Sequence, residues 1–206
     1  MNRSTYVIDK LKIITSNFDI PPDRIDLGIG QPGTPLLPLA ALGQAAEHCL
    51  TRDNSYILAY GAEQGNWYFH NALAGFLGEQ YKLSVDPDHL FTTTGISQGL
   101  DFICRLFTRP GDTIFIENPT YSLALGIFAD HRLNVVGLPM DEDGLIIEAL
   151  EEELVHQKPV FVYTIPTFHN PTGCNLSATR REKLVELSRE HNFLVVADEV
   201  YQLLAY

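Results

Sequence analysis

Cysteine is scarce, three residues in 206, and Cys49, Cys104 and Cys174 stand far apart with no C-x-x-C pair. That excludes a disulfide framework and a zinc ribbon, and leaves three small buried thiols as the expectation. Basic residues are few as well: 14 Lys and Arg against 26 Asp and Glu give a formal net charge of −12. Such a chain offers no electrostatic footprint for nucleic acid or an anionic membrane, so any phosphate it binds must be held locally. Long apolar runs are missing. Nothing approaches the roughly 20 residues of a membrane span, and "MNRSTYVIDKLKIITSNFDI" at the start lacks the apolar core of a signal peptide, which reads as a cytoplasmic protein. There is no repeat and no low-complexity tract, and the seven histidines show no ligand spacing, so no metal site is expected.

What is present is an alternation. Apolar residues make up 45% of the chain, enough for a core at this length. Short β-rich runs, "LFTTT" (90–94), "TIFIE" (113–117), "NVVGL" (134–138), "VFVYT" (160–164) and "FLVVA" (193–197), read as parallel strands. Between them "SQGLDFICRLF", "TYSLALGIFA", "LIIEALEEEL" and "SATRREKLVELSREH" carry apolar residues at helical spacing, with Ser177 as N-cap of the last and the acidic run 148–154 as a solvated helix face. A doubly wound α/β domain follows. Ahead of it lie a Pro-rich connector, "GQPGTPLLP" (30–38), and two helical stretches flanking "YILAYGAEQG" (56–65).

Open parallel sheets bind ligands beyond the carboxyl ends of their strands. Here those ends read Gly95-Ile96-Ser97-Gln98-Gly99, Asn118-Pro119-Thr120-Tyr121, Asn170-Pro171-Thr172-Gly173 and Asp198-Glu199-Val200-Tyr201. "GIGQPG" (28–33) matches the dinucleotide fingerprint, but Pro32 and Pro35 forbid the helix that motif must open. "GISQG" (95–99) matches a nucleophile elbow between strand and helix, yet no histidine follows Asp198 and no glycine-rich oxyanion loop precedes it. An α/β hydrolase is therefore the third-ranked reading. The better use of 95–99 is a helix N-terminus whose free N–H groups receive a phosphate without a basic patch.

Asp198 closes an all-apolar strand, where a carboxylate needs a cationic partner, and no Lys or Arg is near it in sequence. A protonated pyridine nitrogen would serve. With an aromatic ring at Tyr121, an amide at Asn170, a phenol at Tyr201 and a phosphate cup at Ser97, the strand ends describe a cradle for pyridoxal 5′-phosphate. In the Asn-Pro-Thr-Gly corner, Pro171 fixes the backbone, Gly173 relieves it, and Asn170 is held rigidly.

Over essentially its whole length the sequence resembles the fold-type I, pyridoxal-phosphate-dependent aminotransferases of class I/II. The resemblance rests on "LGIGQPG" (27–33), "YG" (60–61) with Gly65, "PGD" (110–112), "PTY" (119–121), "NPTG" (170–173) and "ADEVY" (197–201), all in the family's order. It implies a three-layer α/β/α large domain with a mostly parallel sheet. Residues 1–35 would be an N-terminal arm or part of a small domain, and 36–206 the first part of the large domain, truncated before its last strands and the C-terminal small domain. It implies that Asp198 holds the pyridine nitrogen protonated, that Asn170 and Tyr201 reach the ring O3′, that Tyr121 stacks on the ring, and that Ile96 and Ser97 bind the phosphate. Gly30 and Asn170 would face the substrate carboxylate, and Tyr60 the phosphate of a neighbouring subunit in a homodimer. Ile96 departs from the small polar residue of many relatives, removing one side-chain donor. The Schiff-base lysine and the carboxylate-gripping arginine are expected beyond Tyr206, so this chain alone is expected to be inactive. The expected reaction is transfer of an amino group from an amino acid to a 2-oxo acid. Family resemblance also admits a lyase or the cofactor-binding effector domain of a transcription regulator.

Overall fold

A computed structural model describes residues 32–51, 53 and 55–205. Two units divide the chain, Met1–Gly61 and Ala62–Tyr206. In the first, the described residues form helix α1 (Leu39–Cys49) between 3-10 turns at Thr34–Leu36 and Ser55–Leu58.

The second unit begins with α2 (Trp67–Tyr81), whose N-cap Asn66 accepts a hydrogen bond from the Phe69 N–H at 3.0 Å, satisfying one of the donors a helix start leaves free. There follow α3 (Ile96–Phe107), β1 (Thr113–Asn118), α4 (Ser122–Asp130), β2 (Asn134–Asp141), β3 (Gly144–Leu145), α5 (Ile147–His156), β4 (Phe161–Thr164), α6 (Ala178–His191) and β5 (Leu194–Ala197). The sheet runs in the order β3-β2-β1-β4-β5, parallel throughout except for the short β2–β3 hairpin. This is the mostly parallel α/β sheet expected.

Strand alternation splits the core in two. On one face Phe115 and Val162 pack with Leu150 and Leu154 of α5 and Leu184 and Leu187 of α6. On the other, Ile114, Ile116, Phe161 and Tyr163 pack with Leu100 and Cys104 of α3 and Ala124 and Phe128 of α4. Central strand β1 is thus buried on both sides, which is why "TIFIE" reads as a continuous run rather than an alternation. Each large side chain so buried contributes roughly 2–3 kcal/mol.

Three local expectations differ from what forms. Residues 90–94 make no strand: no described strand lies beside them, and the segment is held instead by Gln64, whose backbone O accepts from Thr92 N–H at 2.8 Å and whose amide donates to Asp88 O and Leu90 O, each at 2.7 Å. Ser177 occupies the N-cap of α6, but its hydroxyl turns to Thr179 Oγ1 at 3.4 Å rather than to a helix N–H. Only Cys104 is a buried thiol, pushed up to about 11 by burial and the nearby Asp101 charge; Cys49 and Cys174 are half-buried.

Among the described residues strand β5 has β4 as its one ladder partner, and no described strand pairs with its other edge. Such an edge templates association. The 206-residue chain is expected to scatter light increasingly with concentration, and Leu194→Lys, placed on a 42% exposed side chain of that edge, to suppress the scattering at a stability change under about 1 kcal/mol. Static light scattering alongside a urea melt measures both, and unchanged scattering would locate the associating surface elsewhere.

Candidate functional site

A cleft of about 270 Å³ opens at the carboxyl ends of β1, β4 and β5, lined by Ile96, Tyr121, Ile165, Asn170, Asp198, Val200 and Tyr201. Of the expected cofactor residues, Ile96, Tyr121, Asn170, Asp198 and Tyr201 meet in it. Ser97 is exposed one residue along α3 from Ile96 and does not line it. Tyr60 is fully exposed in the first unit. Gly30, with most of the "GIGQPG" stretch, lies outside the described residues. A larger and more open cleft, about 380 Å³, lies at the opposite ends of β4 and β5 around Lys158 and Asn192. It brings no carboxylate or phenol together, so the chemistry belongs to the first.

Each wall has a local cause. Gly95 caps α3 at φ 80, a left-handed conformation that favours glycine, and supplies no side-chain cap. The N–H groups of Ile96, Ser97 and Gln98 therefore start the helix without intrahelical acceptors, a fixed partial positive charge at the cleft's edge. Tyr121 sits at the N-cap of α4, directly after the β1 corner.

The Asn170 corner is built more elaborately. His169 N–H donates to Cys174 O at 2.9 Å and Gly173 N–H to His169 O at 2.6 Å, closing a tight loop, with Gly173 at φ 77. Arg181 of α6 clamps both ends of the connection, donating to Pro166 O and to Leu176 O, and lies 3.5 Å from Glu199. Below the corner Glu117, 1% exposed at the end of β1, accepts from Thr164 Oγ1 at 2.6 Å and from Ile165 N–H at 2.8 Å. The buried His169 ring faces the same carboxylate, Nε2 lying 3.2 Å from Oε2 but misaligned for a hydrogen bond. Thr172 N–H points at the ring's Nδ1 (3.4 Å), so Nδ1 accepts and the ring proton sits on Nε2, toward Glu117. One carboxylate thus ties the β1 corner to the β4 corner.

Asp198 is 4% exposed. Its Oδ2 accepts from the Tyr163 hydroxyl at 2.8 Å, its N–H donates to Thr164 O at 2.9 Å, and its Oδ1 is buried without a partner. No salt bridge among the described residues reaches it; Arg181 pairs with the neighbouring Glu199 instead. A buried carboxylate oxygen with neither donor nor cation is costly unless a ligand completes it. The cleft therefore offers a ready acceptor for an N–H⁺, two phenols, an amide, and backbone donors for an anion. It holds no serine hydrolase constellation: among the described residues no hydrogen bond joins Ser97 to a histidine, and no group of three or more His, Cys, Asp or Glu side chains could hold a metal.

Tyr163, Glu117, His169 and Arg181 are the site-building residues that sequence reasoning passed over. The argument that singled out Asp198, a carboxylate ending an apolar strand, applies equally to Glu117 in "TIFIEN" and could have found it.

Comparison with known proteins agrees with this geometry. The family described as aminotransferase class I and II matches residues 22–206. Aromatic-amino-acid aminotransferase 1 of Thermococcus litoralis is 33% identical over 209 residues, covering 99% of this chain and 49% of that protein. The HTH-type transcriptional regulator YisV of Bacillus subtilis, itself uncharacterized, is 30% identical over 87% of the chain and 36% of its own length. Among solved structures, the α-aminoadipate aminotransferase LysN of Thermus thermophilus, complexed with N-(5′-phosphopyridoxyl)-L-leucine, superposes with a TM-score of 0.73 at 29% identity, over 82% of this chain and 42% of that one. The chain spans about half the length of the curated relatives it matches.

The corner's brace is testable by itself. Glu117→Ala strands two buried donors, Thr164 Oγ1 and Ile165 N–H, and is expected to cost about 3 kcal/mol or more, whereas His169→Gln, which keeps a donor and an acceptor, is expected to cost under about 1.5 kcal/mol. Urea denaturation curves compare them; equal losses would mean that Glu117 is not the centre of the network.

Proposed function

The chain belongs to the class I and II aminotransferase family, and its large-domain fold is that of the fold-type I pyridoxal-phosphate enzymes; from that premise we propose that it forms the cofactor-binding part of an aminotransferase moving an amino group from an amino acid to a 2-oxo acid. The observation that carries this reading is the unpartnered, buried Oδ1 of Asp198 at the wall of the cleft. Pyridoxal 5′-phosphate fits the donor set and, when bound, supplies an electron-withdrawing pyridine ring that stabilises negative charge at the substrate's α-carbon.

The chain's own residues do the holding. Asp198 Oδ1, left without a partner, would accept the ring N–H⁺ and hold the proton at that nitrogen. Tyr121, Asn170 and Tyr201 line the cleft; Tyr121 would cover a ring face, and Asn170 and Tyr201 would donate toward the ring's phenolic oxygen. The free N–H groups opening α3 take the phosphate, so an acidic protein needs no basic patch there and Ile96 can occupy the position without a polar side chain. Among the described residues no lysine lines the cleft, and on this reading the amine that would carry the cofactor lies outside them. On this reading 36–206 is the first part of the large domain and 1–35 an arm or part of a small domain, Gly30 and Asn170 face the substrate carboxylate and Tyr60 the phosphate of a neighbouring subunit, with a homodimer as the working assembly. A regulator's effector domain is the second reading, favoured by the likeness to YisV; it binds the same cofactor but shows no turnover.

In the full-length protein Asp198→Asn is expected to lower turnover by roughly 10²-fold or more while cofactor stays detectable by absorbance. Tyr121→Ala is expected to weaken cofactor retention roughly fivefold, the loss of about 1 kcal/mol of stacking. Steady-state kinetics and cofactor titration measure the two. Near-normal turnover by the first variant would remove Asp198 from its role, and wild-type binding without turnover would favour the regulator.

A further inference from the structure

Tyr163 is fully buried, and none of the cofactor contacts assigned above uses it. It stands on β4 opposite Val196 of β5, and alternation puts Asp198, two residues beyond Val196, on the same sheet face within diagonal reach. The hydroxyl donates to Asp198 Oδ2 at 2.8 Å. Behind it the ring packs edge-to-face on Phe128, centroids 5.5 Å apart at 72°, inside the cluster that includes Phe161 and Ile116. Packing at that density leaves the phenol no second position. Burial first, then the Asp198 charge, pushes its pKa far above the ordinary tyrosine value, with Glu117 and Tyr121 acting in the same direction, so the hydroxyl stays a donor throughout the physiological range.

Resting on the cofactor reading of Asp198, we propose that Tyr163 is a positioning residue: its hydroxyl occupies Oδ2, aims Oδ1 at the cleft, and keeps the carboxylate the weaker base, so that the proton shared with a pyridine nitrogen stays on the ring. A donor to the charged form of a carboxylate stabilises that form. Deprived of it, a buried carboxylate with no cation takes the proton itself, and the ring opposite is held neutral. Tyr163 never touches the ring; it acts through Asp198.

The test uses 4′-deoxypyridoxine 5′-phosphate, labelled with ¹⁵N in the ring, on the full chain as the cell makes it. The probe keeps the ring nitrogen and phosphate but has no aldehyde, so it reacts with no lysine, and its ¹⁵N shift reports whether the ring is protonated. A protonated ring is expected in wild type at neutral pH. In Tyr163→Phe the signal is expected to move toward neutral pyridine and probe affinity to fall about tenfold, the loss of one hydrogen bond to a charged group. In an Asp198→Asn background, Tyr163→Phe is expected to change affinity no further. A lower thermal midpoint with an unmoved ¹⁵N signal would mean that Tyr163 only packs, and would overturn the inference alone. Failure of wild type to bind the probe takes down the cofactor reading and the inference with it. If Tyr163→Phe does not fold, wild type labelled with [¹³Cζ]tyrosine decides: the Tyr163 signal must move on probe binding, and movement confined to Tyr121 and Tyr201, identified by their Phe variants, overturns the proposal.

Discussion

The cleft depends on a carboxylate that never faces it. Glu117 ends a strand buried on both sides, and the sheet tolerates it there because Thr164 and Ile165 donate to it. Those donors all belong to the end of β4 and the corner after it. Satisfying one buried charge on β1 therefore fixes where the neighbouring strand stops and where its corner turns. Asn170 and Tyr121 are placed by that arrangement from opposite sides, one residue past His169 and four past Glu117.

Comparing the two buried carboxylates explains which is structure and which is chemistry. Both end apolar strands and both are nearly inaccessible. Glu117 has both oxygens occupied by neighbours, so nothing remains for a ligand to gain. Asp198 has one oxygen occupied and one bare. A fully paired buried charge makes one corner rigid, while a half-paired one at the wall of a cleft is a standing demand for a donor. The sheet's alternation produces the difference: Thr164 lies on Glu117's face and Tyr163 on Asp198's, so adjacent residues of β4 serve the two carboxylates separately.

Much of this was legible in the sequence where a single residue type carries a local rule. Parallel strands buried on both faces announce themselves as short β-branched runs, and four of the five anticipated here form. The fifth, 90–94, has the composition of a strand but pairs with no strand among the described residues, and a ladder is a property of two segments that one segment's composition cannot express. Strand-end residues were legible because the ligand-binding edge of a parallel sheet is set by topology. Tyr163, His169 and Arg181 were not, because each is defined by what it touches across the fold: a tyrosine inside "VFVYT" reads as core, and only register shows its hydroxyl to be aimed at the next strand's end.

The charge of the chain ties these features together. At −12, the protein repels an anion at long range, so the phosphate of the proposed cofactor would have to be held by local donors. Backbone N–H groups at a helix start meet that requirement, and they work best where no side chain competes for them; glycine at the cap and isoleucine at the first helical position leave them bare. The same acidity would make a further buried carboxylate at the other end of the cleft a liability. Among the described residues no arginine or lysine pairs with Asp198, so on the proposed reading the cation that completes the site would arrive with the ligand, and the charge would be used rather than cancelled.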